Sequence, residues 1–135
     1  MNHLEKRLWI NGALLLGLAI ILGAFGAHAI KQRVDAQSLA WWETASSYHR
    51  VHALGLFALA ALSPRLSEQG QQQLRKIALF LVLGIVFFSG SLYIMTLTQL
   101  RILGAITPVG GSLWIIAWLW LARILSQDLN IRSAD

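Results

Sequence analysis

The chain has 135 residues, of which 56% are hydrophobic and only 13% charged, with a mean hydropathy of +0.59. A soluble domain of this size carries about a quarter charged residues; here the charges gather in short clusters between long apolar runs, which excludes a merely greasy core and points to a membrane. The net charge of +5 sits beside those runs, where it suits lipid headgroups and topology rather than nucleic acid, and the lack of cysteine excludes disulfides and thiolate-bound metals.

Residues 1–7 form a polar start that ends in Lys6-Arg7. From Leu8 to Ile30 no Asp, Glu, Lys or Arg occurs. At about 1.5 Å per residue this run crosses a hydrocarbon core of about 30 Å, and a first helix over about 8–30 is expected. Lys6-Arg7, the apolar run and Ala27-His28-Ala29 also imitate a cleavable signal peptide. That rival is disfavoured, because the run exceeds the roughly 7–15 residues of a signal h-region and three further apolar runs need a helix to pack against. Ala19, Gly23 and Ala27 stand four apart, with Gly26 beside them. Such small residues let a neighbouring backbone approach closely. Packing within the bundle is the first reading of this row, a homodimer seam the second.

Residues 31–47 mix Lys31, Arg33, Asp35 and Glu43 with Trp41-Trp42. Adjacent tryptophans here suit an interfacial belt with wet indole N–H groups. Asp35 or Ser38 is a candidate cap for one helix over about 37–62, lying or tilting in the interface before it enters the membrane. Trp41, Ala45, Tyr48 and His52 fall on one face of it. Arg50 is read as snorkelling to lipid phosphate. Ser63-Pro64-Arg65 ends the helix, and the polar residues 64–76 read as a solvated loop.

A third span is expected over about 77–99 and a fourth over about 102–124. A restart of the last helix at Pro108 would leave only about 17 residues to Ile124, barely a span. A kink at Thr107, Pro108, Gly110 and Gly111 is therefore expected instead. The whole is one domain, 1–135: an all-α integral membrane four-helix bundle with four transmembrane helices and short loops. On the side of the two termini stand seven Lys and Arg (Lys6, Arg7, Arg65, Arg75, Lys76, Arg123, Arg132), against four on the other (Lys31, Arg33, Arg50, Arg101). The positive-inside rule then directs both termini to the cytoplasm.

Polar groups offer one candidate site. His28 ends the first helix on the side where His49 and His52, spaced i, i+3, begin the second span. Imidazoles near one membrane face can ligate haem or a metal, relay protons or meet a quinone. With no cysteine and no carboxylate inside a span, a structural polar cluster is favoured, and no metal or cofactor is assigned. Tyr48 shares its face with His52, and Ser89 with Tyr93. The candidate cluster is His28, Tyr48, His52, Ser89 and Tyr93.

Four ordered motifs, Gly23-Ala24-Phe25-Gly26-Ala27-His28-Ala29, Tyr48 with His52-Ala53-Leu54, Phe88-Ser89-Gly90-Ser91-Leu92-Tyr93, and Thr107-Pro108-Val109-Gly110-Gly111, cover roughly residues 8 to 122. Together they resemble the YgdD-like family of small bacterial inner-membrane proteins, a family of unknown function with distant eukaryotic relatives. The resemblance implies four transmembrane helices in the inner membrane and carries no reaction and no catalytic residue. His49 and Arg50 fill positions that the motif does not fix. The expected role is non-enzymatic: an accessory, assembly or scaffold protein within the bilayer, as a homo-oligomer or in a larger membrane complex. The alternative is a small oligomeric transporter or channel using the His/Tyr cluster.

Overall fold

In the computed structural model the backbone is described for residues 1–132 and the side chains for 1–127. Helix α1, His3–Ile30, starts where the Asn2 side chain accepts the Glu5 N–H at 2.7 Å, satisfying one of the donors that a helix start leaves free. Its last turn, Gly26–Ile30, is widened to π geometry. Helix α2, Ala36–Leu62, is capped by Asp35, which accepts the Ser38 N–H at 2.7 Å. Helix α3, Glu68–Thr98, is capped by Ser67 on the Gly70 N–H and contains a second π stretch, Ile85–Gly90. It stops at Gln99, whose φ of 60° is left-handed, a conformation that ends helices. A 3₁₀ turn, Arg101–Ala105, leads into α4, Thr107–Arg132.

The expected solvated loop over 64–76 contracts to 63–67. Ser67 and the helix-favouring Glu68 and Gln71–Gln73 begin α3 earlier. The expected kinked helix over 102–124 is also corrected. Thr107 and Pro108 open a fresh helix, Pro108 standing where no intrahelical N–H is required. The length argument against a restart assumed an end near Ile124, whereas α4 continues to Arg132.

Among the described residues three helices, α1, α3 and the segment through Arg101–Gln127, are long and apolar enough to cross a membrane. The polar residues of α2 keep it below that level, yet at 27 residues, about 40 Å, it runs antiparallel to α1 along the same depth. Gly12 of α1 meets Phe57 and Gly26 meets Trp42. α1 packs on α2, α3 packs on α4, and the two hairpins join through α2 and α3. The chain is an all-helical four-helix membrane bundle. Its interior divides by depth. Toward the termini an aliphatic core gathers Leu4, Leu8, Leu56, Leu59, Leu74 and Leu81. Toward the α1–α2 turn the core is smaller and aromatic, built on Trp42 and Tyr93.

Candidate functional site

The π stretches of α1 and α3 fall on two of the sequence motifs and flank the same part of α2. In the widened turn of α3, Ser89 is fully buried and donates to the Ala45 carbonyl of α2 at 2.8 Å. At the turn of α1, Gly26 leaves room for the Trp42 indole, which is 2% exposed and donates to the Leu22 carbonyl at 2.9 Å. Trp42 is therefore not a headgroup residue with a wet N–H; the missing Cβ at Gly26 draws it inside. Trp41, half-buried, packs at the edge of the same core.

Around this joint lie buried polar atoms without a partner. Ser46 Oγ, both ring nitrogens of His49 and Tyr93 Oη make no hydrogen bond, although their residues are 3%, 2% and 9% exposed. Tyr93 stands edge-on to Trp42, ring centroids 4.7 Å apart, with His49 at 6.3 Å. The Leu15 carbonyl lies beside His49, and Ser46 beside the Tyr93 hydroxyl, but neither approach has hydrogen-bonding geometry. Buried polar groups are almost always paired, and an orphan costs about 1–3 kcal/mol, so this cluster is the candidate site of the bundle.

Arg50 extends the cluster to the surface. It is exposed, and its Nη1 lies 3.5 Å from the point that a Cβ on Gly23 would occupy. Gly23 stands seven residues before Ile30, about 10 Å inside the apolar run. Measured along α1, the guanidinium thus stands about 10 Å inside the end of the apolar run. Among the described residues no hydrogen bond or ion pair reaches it. Beside it a cleft of about 120 Å³ is lined by Gly23, Trp42, Glu43, Ser46 and Arg50.

The five residues expected to converge separate into three places. His28 is exposed on the last turn of α1, whereas His52 lies sixteen residues into α2, about 24 Å from its start. His52 donates from Nδ1 to the Tyr48 carbonyl at 2.8 Å and stacks on Trp114 of α4, centroids 3.6 Å apart and 6° from parallel. Tyr48, itself exposed, continues that stack at 5.7 Å from Trp114. Tyr93 faces the other flank of α2, against Trp42 and His49, and so stands apart from the Tyr48 and His52 of the candidate cluster. Ser89 serves Ala45. Of the small residues, Ala19 and Gly26 are buried, Gly23 is half-buried and Ala27 is exposed. Thr107 Oγ1 meets Ser91 Oγ at 2.8 Å, and Gly110 lies against the Phe88 backbone while Gly111 stays looser. Sequence reasoning missed Ser46 and Trp114, and named His49 but left it out of the cluster. Trp42, Ser46, His49 and Ala53 recur at i, i+4, i+7 and i+11, a face as regular as the one that was chosen.

Fold and site together define a small all-helical membrane protein with a polar joint inside it. The family described as "Protein of unknown function (DUF423)" matches residues 22–111. The chain is 47% identical over 112 residues to the UPF0382 membrane protein SSP2132 of Staphylococcus saprophyticus, covering 83% of this chain and 90% of that one. It is likewise 47% identical to the UPF0382 membrane protein YwdK of Bacillus subtilis, covering 83% and 89%. The chain belongs to this family of small bacterial membrane proteins. No solved structure matches it significantly.

Proposed function

We propose that the protein is a non-enzymatic accessory or assembly component of the bacterial inner membrane, with both termini cytoplasmic. It works while bound through its α1–α2 face to another membrane-embedded chain, a second copy or a member of a larger complex. One observation carries this reading: Arg50 stands exposed and unpaired well inside the apolar depth of α1. Charges at that depth are costly and normally pair within a protein interior. A carboxylate or carbonyl from a partner helix, seated over Gly23, would supply the pair. The aliphatic core on the terminal side of the bundle also favours this reading over transport, since it closes the polar joint off from that face within one copy. Removing Arg50 from the interfacial count leaves seven cations against three, which supports the cytoplasmic orientation.

The test is purification at native expression in mild detergent. The wild type is expected to elute in an assembly larger than one chain, and Arg50→Leu to elute alone. A wild type that cross-links to nothing in intact membranes, and elutes as Arg50→Leu does, would overturn the proposal.

A further inference from the structure

At the opposite end of the bundle α1 and α3 diverge and leave a cleft of about 640 Å³. Its walls are the first turns of α1 and the stretch of α3 from Arg75 to Val82, and Leu56 of α2 forms its floor. Arg7, Arg75 and Lys76 stand around it, all exposed, and no carboxylate lines it. Arg7 immediately precedes the apolar run that begins at Leu8, and Lys76 the one that begins at Ile77. The cations therefore ring the cleft at the depth of lipid phosphates, while Leu8, Leu56 and Val82 continue it into the hydrocarbon layer. The lining is polar above and apolar below, with charge of one sign. That pattern complements an amphiphile with an anionic head, because basic pockets between helices at this level attract acidic phospholipids.

We infer that this cleft is a binding site for one anionic phospholipid. Its phosphate sits among Arg7, Arg75 and Lys76, and an acyl chain lies along Leu8, Leu56 and Val82. The site is separate from the Arg50 face and does not depend on the function proposed for it. Several phosphate contacts in one cleft distinguish it from the diffuse attraction of scattered surface cations. A soluble phosphate would reproduce the head contacts but forfeit the burial of the chain.

Native mass spectrometry tests this on the full-length protein released from nanodiscs of equimolar phosphatidylglycerol and phosphatidylcholine. The wild type is expected to retain a single phosphatidylglycerol, favoured by about tenfold or more over phosphatidylcholine. Arg7→Gln/Arg75→Gln/Lys76→Gln is expected to lose the preference. Lys6→Gln/Arg65→Gln/Arg123→Gln, an equal loss of charge at the same end but outside the cleft, is expected to keep it. All six residues are exposed, and circular dichroism checks that both variants remain helical. Equal retention of the two lipids by the wild type would overturn the inference. So would an equal loss of preference in both triple variants, which is bulk charge alone, or displacement of the lipid by millimolar inorganic phosphate, which is a site for the free ion.

Discussion

Gly84→Ala tests whether Trp114 is locked between α2, α3 and α4 as the geometry requires. A Cβ on Gly84 would collide with the Trp114 indole around Nε1 and Cδ1. The ring has little room to withdraw. It is 4% exposed, donates to the Leu81 carbonyl at 3.1 Å, lies 3.6 Å from His52 and packs at 4.8 Å on Phe88. Overfilling such a site costs about 1–3 kcal/mol, and a pinned ring belongs in the upper part of that range. Alanine regains about 1 kcal/mol of helix propensity over glycine. A net loss of about 1–2 kcal/mol remains. Gly17→Ala is the control, since a Cβ there meets nothing within 4 Å and only the propensity gain applies. Reversible unfolding in mixed micelles measures both variants, and Gly84→Ala with Trp114→Phe completes a cycle. That pair should show a coupling of about 0.5 kcal/mol or more, because the smaller ring relieves the clash. If Gly84→Ala proves as stable as Gly17→Ala, the ring is not held there and the joint between the hairpins is wrongly drawn.

Ser89→Ala should cost about 0.5–1.5 kcal/mol in the same unfolding assay, by removing the donor to the buried Ala45 carbonyl; an unchanged midpoint would mean that the bond adds nothing. Trp42→Phe keeps an aromatic ring against Tyr93 but drops the 2.9 Å bond to Leu22, and a loss of about 1 kcal/mol is expected. The Asp35 carboxylate is held below its ordinary value of 3.8, chiefly by the Ser38 backbone N–H and then by the Ser38 hydroxyl, with Arg101 adding a smaller attraction. A depressed folded value means that the charged form stabilises the fold. Its contribution is present above the ordinary value and is lost as the pH falls below it through the folded one. Protection of the amides in the first turn of α2, expressed relative to their intrinsic exchange rates, should therefore fall on acidification below about pH 4. Asp35→Asn keeps a cap but should abolish that dependence, and a variant that still showed it would assign the effect elsewhere.

Much of the fold was legible because apolar length is a one-dimensional signal. Leu8–Ile30 and Ile77–Leu100 announce spans without reference to any neighbour. α2 was harder to read, because a helix surrounded by others carries its polar groups inward and matches neither an apolar span nor an amphipathic surface helix. Its Ser38, Ser46, His49 and His52 are all buried. The site was legible only as an inventory. Tyr48, His52, Ser89 and Tyr93 were correctly noted as the polar groups of the spans, but which flank of α2 each one faces depends on where α3 and α4 pack. Spacing along one helix cannot say that Trp114 will claim His52 or that Ala45 will claim Ser89. The length of α4 failed for a related reason: Arg123 looked like an end, whereas a charged residue at the headgroup level need not stop a helix.

The small residues show what had to be learned from packing. In the sequence, Ala19, Gly23, Gly26 and Ala27 suggest two backbones in close approach. In the bundle, the glycines of α1 instead accommodate the side chains of α2. Gly26 admits the Trp42 indole, and Gly23 leaves the space over Ser46, whose Oγ would stand 3.1 Å from an added Cβ. Gly55 does the same for Trp118, and Gly84 for Trp114. Gly110, against the Phe88 backbone and the Gly84 carbonyl, makes the close backbone contact that such residues usually signal. Large rings set into glycine notches add to the apolar core in bringing the helices together. They allow a polar helix to run through the bundle with Ser38, Ser46, His49 and His52 enclosed. Arg50, by contrast, lies exposed on the α1–α2 face beside Gly23.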